Sequence, residues 1–198
     1  MPYARRDLVT WQPGGYYHLY NRGARGWRIF IEPDNYFFVL WRIKHYSLAF
    51  HLAVIAYCLM PNHYHLLVRQ DGETPAGLLP QRVFNSYSKA YNKRYAHSGT
   101  LFEHRYRTKA VADESYLLHL CRYIHANPVK DGLATDPGAW PYSNYLEWVG
   151  ERAGTLVDRA FVRAWAGSAQ DYRALVWEYI EQRGLPEAVR EFVEALER

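Results

Sequence analysis

The stretch from His51 to Arg69 constrains the fold more than any other part of the chain. Residues 51–59 are mostly apolar, Met60-Pro61-Asn62 interrupts them, and His63 to Arg69 resumes through Leu66-Leu67-Val68. Two such runs across a Pro-containing break read as strands joined by a turn. With apolar residues on both flanks, His63-Tyr64-His65 belongs to a central strand rather than an edge. Strand side chains alternate between faces, so His63 and His65 share one face, roughly 6–7 Å apart. Two imidazoles so placed can reach one cation and leave coordination positions open for substrate oxygens. An ordinary alternation of polar residues on a solvated face would give the same His-x-His pattern.

The remaining elements arrange themselves around this pair. A first strand spans 16–20 after Pro13-Gly14-Gly15 and breaks at Asn21-Arg22-Gly23. Pro33-Asp34 opens a helix with Asp34 as N-cap and a face of Phe37, Leu40, Trp41 and Leu48. A longer helix runs from Gly77 to Tyr95 and ends near Ser98-Gly99, and residues 101–111 form a fourth strand. Asp113 caps a third helix that should stop near Asn127, because the residue before Pro128 is disfavoured in the helical region. The order β-α-β-β-α-β-α predicts an α+β fold, a ferredoxin-like β-α-β-β-α-β core with an antiparallel sheet covered by helices. The character changes at Gly150, so residues 1–149 read as one domain and 150–198 as a helical extension. Within that extension, Tyr172–Glu181 and Pro186–Leu196 carry amphipathic patterns, divided by Gly184.

On the third helix Leu117, Cys121 and Ile124 form a core stripe, and Tyr116, Leu120, Tyr123 and Asn127 lie on the adjoining one. Tyr123 and Asn127, four residues apart, share a face. Singly, a tyrosine there packs and an asparagine there ends a helix. Combined with the histidines, they make a metal site with a built-in oxygen nucleophile, which points to phosphodiester chemistry.

Charge supports a polyanionic partner. The net charge is +4, but residues 1–110 hold 15 Lys/Arg against 6 Asp/Glu, whereas 111–198 hold 9 against 14. The second helix mingles Arg82, Lys89, Lys93 and Arg94 with Tyr87, Tyr91 and Tyr95, and Arg105, Arg107 and Lys109 alternate on the fourth strand. Such surfaces hold a phosphate backbone and stack on unpaired bases, although a solvated charged face reads alike. No run of eighteen apolar residues suggests a membrane span, and the N-terminus lacks a signal-peptide h-region. Cys58 and Cys121 both sit in apolar runs, which fits a reducing cytoplasm better than a disulfide framework.

Four segments in order carry a family resemblance: Met60-Pro-Asn-His-Tyr-His-Leu-Leu-Val68, Leu101-Phe102 with Arg105-Tyr106, Arg122-Tyr-Ile-His-Ala-Asn-Pro-Val-Lys130, and Trp140-Pro-Tyr-Ser-Asn-Tyr145. Pro13–His18 and Asn21-Arg-Gly23 add to them. Over residues 12–149 the chain resembles the single-tyrosine HUH transposases, in particular the REP-associated tyrosine transposase branch. The resemblance implies a ferredoxin-like domain that cuts and rejoins single-stranded, hairpin-associated DNA through a 5′-phosphotyrosine. It implies Tyr123 as nucleophile, His63 and His65 as metal ligands, and Asn127 at the place of a third ligand. Mixed nitrogen and oxygen donors suit a divalent cation, Mg²⁺ or Mn²⁺. The family includes dimers and monomers, so a homodimer is one implied assembly. Tyr64 is bulkier than the aliphatic residue usual between the histidines. A non-catalytic DNA-binding relic and a nuclease that uses water are the competing readings.

Overall fold

The computed structural model describes residues 9–111 and 114–181. Strand β1 (Tyr16–Arg22) leads to helix α1 (Pro33–Ala49), the strands β2 (Leu52–Leu59) and β3 (His63–Gln70), helix α2 (Leu78–Arg94) and strand β4 (Arg107–Val111). After these come α3 (Glu114–Lys130), the single turn α4 (Tyr145–Trp148), α5 (Arg159–Trp165) and α6 (Ala169–Ile180). The sheet order is β2-β3-β1-β4, with β1 antiparallel to both neighbours. That order, with β3 inserted between β1 and β2, is the ferredoxin-like α+β arrangement the sequence predicts.

The chain divides into two compact units, Met1–Val54 with Leu59–Ala112, and Ile55–Cys58 with Asp113–Arg198. In the first, α1 and α2 pack on each other, and Phe84 of α2 stacks on Tyr64 of β3 with ring centroids 3.8 Å apart. Phe30 stacks on both Tyr36 and Tyr87. Tyr87 and Tyr91, expected to meet nucleic acid, are core residues whose hydroxyls donate to the carbonyls of Ile29 and Arg28. Their rings fill space between the helices, and their hydroxyls satisfy loop carbonyls, that of Ile29 in a buried setting.

Helix α1 turns a different face inward from the one expected. Tyr36, Val39, Ile43 and Ser47 are buried, while Phe37, Trp41 and Leu48 are 61%, 60% and 69% exposed. Both stripes have helical spacing, so periodicity alone did not distinguish them. The N-cap is Glu32 rather than Asp34: it forms a capping box with Asn35, and Pro33 occupies the first turn.

In the second unit α3 packs against α6. The His125 ring is enclosed: Nε2 donates to Asn144 Oδ1 (2.9 Å) and Nδ1 accepts from the Tyr172 hydroxyl (2.6 Å). Asn144 accepts from the Tyr57 amide at 2.8 Å and donates to the Ile55 carbonyl at 2.9 Å. Thus α3, α6 and the Trp140–Tyr145 segment share one buried polar hub. Helix α3 does not stop at Asn127 but continues through Pro128 to Lys130. Proline removes one N–H near the final turn. The Asp131 amide still reaches the Asn127 carbonyl (2.9 Å), and Gly132, at φ 69°, supplies the left-handed exit. The expected cap Asp113, Gly184 and the helix over Pro186–Leu196 lie outside the described residues.

The exchanged face of α1 is directly testable. Ile43→Ala should lower unfolding free energy by about 2–5 kcal/mol, and Trp41→Ala by no more than about 0.5 kcal/mol. Urea denaturation measures both; the reverse ranking would restore the sequence-predicted face.

Candidate metal and DNA-processing site

Strand pairing builds the histidine cluster. In the β1–β3 register Tyr20 opposes His65, Arg22 opposes His63, and His18 opposes Leu67. Directly opposed residues share a face. His18, Tyr20, His63 and His65 therefore project from one side of the sheet, while Tyr64 projects from the other. On β4, Arg107 opposes Tyr20 and Lys109 opposes His18, which adds two cations to the histidine face.

His63 and His65 lie with ring centroids 5.1 Å apart, one edge toward the other's face. Each is oriented through Nδ1. Asn62 Oδ1 accepts from His63 Nδ1 at 2.7 Å, and His18 Nε2 lies 3.0 Å from His65 Nδ1. At His63 the Nδ1–H engaged in this way leaves the ring lone pair on Nε2, the tautomer a metal ligand needs, and His65 has the same tautomer when His18 Nε2 is the acceptor. Asn62 is itself held, because its carbonyl accepts from the Gly23 amide at 2.7 Å. A Cβ on Gly23 would meet the Trp27 carbonyl oxygen at 2.1 Å, so only glycine fits there.

Burial keeps His18 and His65 neutral. Desolvation, with a smaller contribution from Lys109, lowers the His18 pKa to about 3. His65 is held well below the usual histidine value, chiefly by burial and further by His63 and His18. Neutral imidazoles are the form that binds metal. The donor set therefore fits a divalent cation at this face. Among the described residues no group of three or more His, Cys, Asp or Glu side chains is placed to hold one metal ion.

Tyr123 and Asn127 occupy one turn of α3 in the second unit. Tyr123 is buried, with its ring edge-on to Tyr179 (6.3 Å). Asn127 Nδ2 donates to the Tyr123 carbonyl at 2.6 Å, which leaves any ligand role to Oδ1. The expected residues are thus brought together as two pairs, the histidines in one unit and Tyr123 with Asn127 in the other.

The predicted cationic face divides. Arg82, Lys89 and Lys93 are exposed along α2. Arg94 is instead engaged by Glu32 Oε1 (2.6 Å) and Asp34 (3.4 Å), tying the end of α2 to the start of α1. Arg105 does not alternate with Arg107 and Lys109, because β4 begins only at Arg107. Before it the backbone is drawn aside: Phe102 bridges to Gly23 and the Glu103 amide donates to the Arg22 carbonyl. His18 and Asn62 escaped the sequence reading. The Tyr16–Tyr20 alternation places His18 on one face of β1, but which strand pairs with it, and in what register, is not local information.

A family profile described as "Transposase IS200 like" matches residues 26–127. A solved structure described as the REP associates tyrosine transposase bound to a REP hairpin superposes with TM-score 0.63 at 19% identity, covering 80% of this chain and 94% of that one. This likeness bears on the fold. A "putative transposase from deinococcus radiodurans r1" aligns with TM-score 0.41 at 15% identity, covering 63% of this chain and 95% of that one, too weakly to bear on it. No curated protein matches the chain. Among the described residues no helix is long and apolar enough to cross a membrane, and Cys58 and Cys121 are buried free thiols.

Removing the His18 ring should free His65 to rotate. His18→Ala is expected to weaken Mn²⁺ binding about 10–100-fold by calorimetry; unchanged affinity would show that His18 does not orient His65. A pH effect follows from the same burial. The folded-state pKa values of His18 (about 3) and His125 (about 4) lie below the unfolded value of 6.5. Their contribution is complete above pH 6.5 and drains as pH falls toward 4, because only the unfolded chain takes up the protons. Urea titrations in EDTA should show each histidine removing about 1.4 kcal/mol per pH unit in that window, and substitution of either should shallow the slope.

Proposed function

The chain belongs to the IS200-like transposase family, and we propose that it cleaves and rejoins single-stranded, hairpin-associated DNA through a 5′-phosphotyrosine on Tyr123. The observation that carries this reading is the pair His63 and His65 on one sheet face, each with Nδ1 within hydrogen-bond distance of a neighbour, and with His65 held neutral by burial. The hairpin bound to the structurally similar REP transposase supports the choice of substrate.

In this reading residues 1–149 are the catalytic domain and 150–198 a helical extension. His63 and His65 hold a divalent cation, Mg²⁺ or Mn²⁺, with Asn127 Oδ1 as the third protein donor assigned from the motif order. Bound there, the cation would withdraw charge from the scissile phosphate. The Tyr123 hydroxyl must lose its proton as it attacks phosphorus. The P–O3′ bond breaks, the departing 3′-oxygen takes up a proton, and the 5′-phosphate remains esterified to Tyr123. One ester replaces another, so a different 3′-hydroxyl can reverse the step without ATP. Arg107 and Lys109, on the histidine face, hold the phosphate backbone, and Arg82, Lys89 and Lys93 extend the cationic surface along α2. Arg94 is assigned to the fold through its pairing with Glu32.

The test uses the purified chain, Mn²⁺ and a pool of labelled hairpin DNAs with single-stranded flanks, resolved on a denaturing gel. An SDS-resistant adduct is expected from the wild type and none from Tyr123→Phe. Cleavage without an adduct, undiminished in that variant, would assign the attack to water. Binding with neither product would make the chain a DNA-binding relic.

A further inference from the structure

The sheet face opposite the histidines carries a second feature that the cleavage chemistry does not use. An open pocket of about 410 Å³ lies between α2 and the segment after Leu101. Such a volume is typical of clefts for small ligands, about 300–1,000 Å³. Tyr64, Phe84 and Phe102 supply its aromatic part: Tyr64 stacks on Phe84 (3.8 Å), and Phe102 stands edge-on to Phe84 (5.4 Å). Phe102 is half-buried, so part of its ring remains accessible. Asn85, exposed on α2, adds an amide, and exposed Arg105 adds a cation. None of the lining side chains is acidic.

One group in the pocket is costly as it stands. The Tyr64 side chain is fully buried, and its hydroxyl makes no hydrogen bond among the described residues. A buried hydroxyl without a partner destabilises the fold relative to a satisfied one. Phenylalanine would have filled the same space without that cost. A polar atom kept there at a stability cost, in a ligand-sized pocket, marks a place where a ligand supplies the missing acceptor.

We propose that this pocket receives one unpaired nucleobase of the bound DNA, stacked on the aromatic side chains and hydrogen-bonded by the Tyr64 hydroxyl and the Asn85 amide. Flat aromatic surface suits any base, and the two polar groups select among bases by their edges. Arg105 meets the adjoining phosphate, a use of this residue that its departure from the β4 face makes available. The pocket is a specificity site on the opposite side of the sheet from the cleavage chemistry. The inference rests on the proposal that the chain binds single-stranded, hairpin-associated DNA.

The test is a binding selection in EDTA, where cutting is suppressed. The probe is a hairpin DNA with a randomised single-stranded flank, and the bound fraction is sequenced. Wild-type protein should enrich a particular base at one position at least. Tyr64→Phe, which removes only an unpaired hydroxyl and should leave the fold intact, and Asn85→Ala, at an exposed helix position, should each lose about tenfold or more of that preference. Preferences at other positions should persist. Wild-type binding without enrichment, or enrichment unchanged in both variants, overturns the pocket and leaves the DNA-processing reading standing. Absence of any binding by the wild type overturns both.

Discussion

The pairing of β1 with β3 in a single register is the constraint on which the chemistry of this chain depends. Tyr20 opposite His65 fixes which residues of the two strands lie side by side. A slip of one residue would send His18 and Tyr20 to the opposite face and break the His18–His65 contact. The register is protected because both faces are engaged. Tyr17, Leu19, Tyr64 and Leu66 are buried on one side, and His18 and His65 on the other. No shifted pairing keeps both sets buried with suitable neighbours.

From this pairing come two surfaces with different chemistry. One holds the histidines, with His18 and His65 kept neutral by burial, and two strand cations beside them. The other holds stacked aromatics under α2, and the pocket at its end. The alternation of side chains along His63-Tyr64-His65 connects them: the same three residues contribute both donors of the proposed metal site and the buried hydroxyl of the proposed base pocket. The bulk of Tyr64, which departs from the aliphatic residue usual at that position, then has a physical use.

The second unit rests on a different device. His125 is neutral and fully enclosed, and its two nitrogens meet an acceptor on Asn144 and a donor on Tyr172. This joins α3, α6 and the Trp140–Tyr145 segment without a charge. It also explains why α3 tolerates Pro128. Tyr123, Ile124, Ala126 and Asn127 are all buried, and packing on that scale outweighs one missing backbone hydrogen bond.

The sequence by itself determined the element order, the pairing of His63 with His65 on one face, and the spacing that sets Tyr123 and Asn127 on one turn. These follow from side-chain periods of two and 3.6, which covalent geometry imposes locally. Only the tertiary structure decided which residues join them. His18 reaches His65 through a strand register spanning 47 positions, and Asn62 is held by the Gly23 amide. Helix α1 buries Ile43 and leaves Trp41 exposed, although both belong to stripes of helical spacing. Arg105 leaves the strand because Phe102 and Glu103 bond to Gly23 and Arg22, and Arg94 is drawn to Glu32. Each of these outcomes turns on contacts between residues distant in the chain, where burial and hydrogen-bond satisfaction choose among patterns that look equivalent locally.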